Sequence, residues 1–126
     1  ESACKQYSAR ILLSEYTAEK LKGVYRLRDI DRVVVKGKTT PVGVFECLDY
    51  HDDSSFPNIM EVLGNFNEAI KLYRRQNWEK AIHYFEEAIK GNDSDHLSKI
   101  YIDRCNLLKA EPPDNDWDGV WVMTSK

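Results

Sequence analysis

Two lysines flank a glycine at residues 36–38, giving Lys36-Gly37-Lys38. Three β-branched residues, Val33, Val34 and Val35, precede them. Thr39, Thr40 and Pro41 lead on to a second strand-like run at residues 42–47. Two β-prone runs joined through a glycine-containing connection predict a hairpin, with Pro41 at the start of a strand or on a sheet edge. Gly37 lets the backbone take a positive φ or come close to a ligand, so the hairpin ends in a compact cationic tip. Such a tip suits a polyphosphate, which it would hold by electrostatic attraction. The same residues also fit a plainer reading, in which both lysines are solvated turn residues.

No other set of residues makes a catalytic constellation. The three histidines are scattered. His51 sits with Asp52 and Asp53 in a polar stretch that reads as a solvated cluster, His83 falls off the apolar face of its helix, and His96 lies at a helix start. Cys4, Cys47 and Cys105 are widely spaced and odd in number. They form neither a CxxC nor a Cys/His pattern suited to zinc, and they read as free thiols in a reducing cytosol.

The elements that must position the tip are short. Residues 11–13 form an apolar strand, and Ser14 or Thr17 caps a helix at 18–22 that stops at Gly23. Residues 24–27 and 32–35 read as two strands broken by Asp29-Ile30-Asp31, and residues 42–48 as the last strand. These are too few to close a core unaided, because one face of every strand needs a covering layer. With 31% charged and 42% hydrophobic residues over 126 positions, the chain has the composition of a folded protein. No apolar run reaches membrane-spanning length, and no signal-peptide pattern opens it. Residues 1–48 hold nine Lys/Arg against six Asp/Glu, whereas residues 49–126 hold nine against fifteen. A mildly basic hairpin segment beside an acidic remainder suits an anionic ligand and argues against a nucleic-acid binder.

The order of these segments carries more than any one motif. VVVKGKTTPVGVFECL, preceded by ILLS, TAEKLKG and VYRLRDIDR, resembles the closing part of the class III nucleotide cyclases, over residues 1–48. The resemblance implies that Lys36 contacts the substrate triphosphate; nothing comparable carries over to Lys38. It implies conversion of ATP, or in second place GTP, to a 3′,5′-cyclic nucleotide and pyrophosphate. It also implies two divalent ions, Mg2+ or Mn2+, and an active site at a homodimer interface. The family's Asn and Arg that stabilise the pentavalent phosphorus align before Glu1, and its metal-binding aspartates and purine-selecting residues lie further upstream. No catalytic residue and no metal ligand is therefore assigned in this chain. It opens at Glu1 without an initiator Met and is expected to be an inactive piece of a longer, cytoplasmic or membrane-anchored enzyme.

After a linker at residues 49–57 the apolar period changes from two to about 3.6. Leu63, Phe66, Ile70 and Tyr73 mark one helix. Trp78, Ala81, Ile82, Phe85, Ala88 and Ile89 mark a second, capped by Asn77 and stopped by Gly91. Leu97, Ile100, Tyr101, Leu107 and Leu108 mark a third, capped by Ser94 and ended by Pro112-Pro113. Tyr73, Trp78, Ala81, Phe85 and Ala88 make the first two helices resemble a tetratricopeptide repeat, although Asn65 and Glu68 depart from its pattern. One repeat cannot bury its own faces, so the third helix is expected to cap it.

In the tail, Asp114, Asp116, Asp118 and Gly119 open like a calcium loop, but Ser125 stands where a bidentate Glu belongs. A strand at residues 120–123, anchored by Trp117 and Trp121, is the better reading. The whole predicts an α+β chain: a partial antiparallel sheet with a short helix at 1–48, the linker, a three-helix segment at 58–110, and a tail at 111–126 with a short strand. The competing function is a non-catalytic interaction module, with the helices binding a protein partner.

Overall fold

The computed structural model describes residues 7, 11–21, 26–34, 37–49 and 51–122. The fold is α+β, in the order β1 (Leu12–Ser14), α1 (Glu15–Lys20), β2 (Leu27–Val34), β3 (Val42–Cys47), α2 (Ile59–Arg74), α3 (Trp78–Gly91), α4 (His96–Ala110) and β4 (Val120–Val122). The chain divides into two compact units. One is residues 1–50 with 120–126; the other is residues 51–119.

The first unit is built on a four-stranded sheet of order β1-β3-β2-β4. Both β1 and β2 run antiparallel to β3, as expected. β4 runs parallel to β2, which the sequence reading of an antiparallel sheet did not anticipate. A parallel neighbour needs a long crossover, and here the entire helical unit lies between β3 and β4 in the chain. Between β1 and β2, α1 is capped by Ser14, whose Oγ accepts from the Thr17 amide at 3.2 Å. That choice settles the alternative between Ser14 and Thr17. The expected stop at Gly23 lies outside the described residues.

The expected break at Asp29-Ile30-Asp31 is absent. β2 is continuous from Leu27 to Val34, and the interruption becomes a register shift between Asp29 and Asp31 against β3. An extra residue there is a bulge, which bends a strand and raises its twist without ending it. Ile30 and Asp31 are both buried at this point.

In the second unit, Val62, Phe66, Ala69, Ile70 and Tyr73 of α2 are buried against Trp78, Ala81, Phe85 and Ala88 of α3. Alanines let the two helices approach, and aromatics fill the space above. Phe85 lies edge-on to Phe66 at 5.6 Å and stacks on Tyr101 of α4 at 5.2 Å. Offset and edge-on pairs of this kind add to simple area burial.

Two of the expected helix ends hold and a third needs correction. Asn77 is the N-cap of α3, although its side chain makes no capping bond. α3 stops at Gly91, where a Cβ would meet Val62 Cγ2 at 3.0 Å, with Asn92 as the following cap residue. The cap of α4 is Asp95 rather than Ser94, and its carboxylate takes the Ser98 hydroxyl instead of a backbone amide.

Leu107 was expected inside and is 60% exposed. The buried face of α4 follows Leu97, Tyr101, Arg104 and Cys105, and its next turn arrives at Leu108, one residue beyond Leu107.

Candidate functional site

The hairpin between β2 and β3 is the site the sequence singles out. Its last cross-strand pair in register is Val33 with Val42. Beyond it, Gly37 has φ +84°, and a Cβ there would meet nothing within 4 Å. Residues 37–41 are all exposed. The positive φ expected at Gly37 is therefore present, in a turn open to solvent, with Lys38 displayed on it. Lys36, the assigned phosphate contact, lies outside the described residues, as does Val35.

Three features hold the strands that carry this turn. The Glu15 carboxylate of α1 accepts the Gly43 amide of β3 at 3.2 Å. Below the tip, the Tyr7 hydroxyl donates to Asp31 Oδ2 at 2.5 Å, while Asp31 Oδ1 accepts from the Arg32 amide at 2.8 Å. Arg28 of β2 stands directly opposite Glu46 of β3, which puts opposite charges on one face of the ladder. Arg28, Asp31 and Glu46 are all buried.

Sequence reasoning passed over this buried polar group, because alternating polar residues look like a solvated strand. Their burial suits holding the sheet; a soluble anion needs exposed cations.

The helical unit has a shallow concavity of about 530 Å³ at the start of α2, lined by Asp53, Pro57, Asn58, Ile59, Met60 and Glu61. Two carboxylates and no cation make it unsuited to a phosphate. Among the described residues no three or more His, Cys, Asp or Glu converge to hold a metal. The Asp114 carbonyl accepts from Gln76 Nε2 at 2.7 Å and from the Trp117 amide at 3.0 Å, closing a turn. Trp117 packs edge-on to Tyr73 at 5.2 Å and beside Trp78 at 5.7 Å, the anchoring expected of it. Trp121 lies within β4.

An α+β chain with a cationic hairpin on a small sheet is the class these observations define. Comparison with known proteins then gives one match: the chain is 32% identical over 108 residues to the terminal-differentiation-specific adenylate cyclase of Dictyostelium discoideum. The match takes in 83% of this chain and 5% of that cyclase, so the chain spans a small part of the relative's length. The similarity relates the chain to an adenylate cyclase. Its extent exceeds the size of either compact unit, so it includes residues of both. No protein-family model matches the chain. No solved structure matches it either. Among the described residues no helix is long and apolar enough to cross a membrane.

Proposed function

We propose that the chain is the C-terminal part of a class III nucleotide cyclase catalytic domain carrying a tetratricopeptide-like helical segment. The complete enzyme converts ATP, with GTP the second choice, to the 3′,5′-cyclic nucleotide and pyrophosphate, acting as a cytoplasmic-facing homodimer. The observation that carries this reading is the similarity to an adenylate cyclase across both units. It is supported by a hairpin whose exposed turn has its glycine in the left-handed region.

In this reading Lys36 neutralises the triphosphate as negative charge moves toward the leaving pyrophosphate. Losing one such preorganised contact slows the reaction by a factor that can reach about 10³. Phosphoryl transfer depends on positioning and charge neutralisation more than on covalent help, so losing one cation weakens the reaction without abolishing it. Mg2+ or Mn2+ supplies further charge neutralisation in such an enzyme. In this reading the ligands of these ions belong to other parts of the enzyme.

The test is kinetic. Lys36→Ala in the complete cyclase is expected to lower kcat/KM by roughly 10–10³-fold, while the 126-residue chain alone produces no cyclic nucleotide. Unchanged kinetics return Lys36 to a solvated turn residue. Cyclic nucleotide made by the isolated chain overturns the placement of the catalytic residues elsewhere. The second reading, a non-catalytic module that binds a protein partner, is favoured by the self-contained aromatic core of α2–α4. A partner that remains bound after residues 1–48 are removed would support it.

A further inference from the structure

The tail strand sits where the hairpin most needs support. β2 is flanked by β3 on one side and β4 on the other. Among the described residues, β4 covers the last three of β2, in the register Arg32 with Val120, Val33 with Trp121, and Val34 with Val122. Pairing with β3 ends one residue earlier, at Val33 with Val42.

Continuing that antiparallel register would set Val34 opposite Pro41, which has no N–H to give a ladder. The final residue of β2 therefore has its register partner on β4. Without β4, β2 would be the edge strand of a β1-β3-β2 sheet, with its end paired on one side alone.

Gly119, with φ +96°, turns the chain into β4.

We propose that Val120–Val122 is a positioning strand for the β2–β3 hairpin. The helical unit is then an insert between two strands of one sheet, and displacing β4 releases the hairpin from one side. The link to phosphate binding rests on the cyclase reading; the ordering of the hairpin does not.

The test compares the full chain with one ending at Gly119, by amide hydrogen exchange at Val33, Val34, Gly37, Lys38 and Val42. Removal of β4 is expected to speed exchange at Val33 and Val34 by about tenfold or more, because local opening then needs fewer bonds broken. Amides of α2 and α3 should keep their rates. A synthetic peptide of residues 118–126 added in trans should restore the protection.

Val120→Pro and Trp121→Pro provide a second route that keeps the chain at full length. Adjacent N–H groups on a strand point to opposite sides, so one of the two substitutions must remove a ladder bond and loosen the hairpin. Full protection in the truncated chain, or in both proline variants, overturns the proposal.

A separate titration of the full chain with inorganic triphosphate, read at the Gly37 and Lys38 amides, addresses the phosphate contact. No shift there sinks that contact, while the exchange rates decide the role of β4 in either case.

Discussion

The Tyr7 hydroxyl and the Asp31 carboxylate, 24 residues apart in the chain, meet in a buried hydrogen bond of 2.5 Å at the bulge of β2. Asp31 is 1% exposed and also caps the Arg32 amide through its other oxygen. A carboxylate removed from water costs free energy unless donors surround it. The bond therefore matters most for what its loss would leave behind. Tyr7→Phe keeps the ring and removes only the hydroxyl, so it is expected to destabilise the sheet unit by about 1.5–3 kcal/mol, the range for a bond to a charged group. Urea unfolding followed at resonances of β2 and β3 measures it. A change within experimental scatter would mean that water replaces the phenol at no cost. Asp31→Asn, which keeps an acceptor, should cost less than Asp31→Ala.

Two glycines with positive φ should respond differently to the same change. Gly37 has open space around it, so Gly37→Ala meets only the backbone penalty of the left-handed region, about 1–2 kcal/mol. Gly119 is buried, and a Cβ there would lie 2.6 Å from Arg74 Cγ and 3.1 Å from its Cδ. Gly119→Ala adds a steric clash to the same backbone penalty. It should cost more than Gly37→Ala, with the loss appearing in the Trp117–Tyr73–Trp78 cluster that precedes the turn. Tryptophan fluorescence during denaturation of each variant orders the two. Equal costs would show that the Arg74 stem moves aside freely.

Much of this architecture was legible where one period governs burial. Phe66, Ile70, Tyr73, Ala81, Phe85 and Ala88 are buried as the helical repeat requires. The repeat also shows why Leu107 fails: it is apolar, but it sits one residue off the face that Leu108 continues. Gly37 was legible because a short turn between β-branched runs needs a residue that tolerates positive φ.

What stayed hidden depends on partners remote in sequence. Asp29-Ile30-Asp31 looks like a break, since nothing local announces that Tyr7 will supply a donor to Asp31. Val120–Val122 gives a strand by composition, yet three residues hold no information on which neighbour they join or in which direction. The assigned phosphate contact, Lys36, is read from the chain alone, because it falls outside the described residues.

Cys105 is buried in α4 beside Arg104, and burial pushes its thiol from an ordinary value of 9.0 up to about 12 despite the opposing charge of that guanidinium. The thiolate is the reactive form, so Cys105 should resist iodoacetamide at neutral pH while half-buried Cys47 reacts ahead of it. Labelling of Cys105 is then expected to follow unfolding of the helical unit, with a rate that rises with urea. The sign of the pH effect follows from the same shift. The folded state keeps its proton where the unfolded state gives it up, so the thiol's stabilising contribution is complete below about pH 9 and declines as pH rises toward 12. Cys105→Ala should flatten that alkaline decline in the thermal midpoint, although the cavity lowers stability at every pH. Mass-resolved labelling that finds Cys105 modified as fast as Cys47 in the native chain would mean α4 opens far more readily than its packing implies.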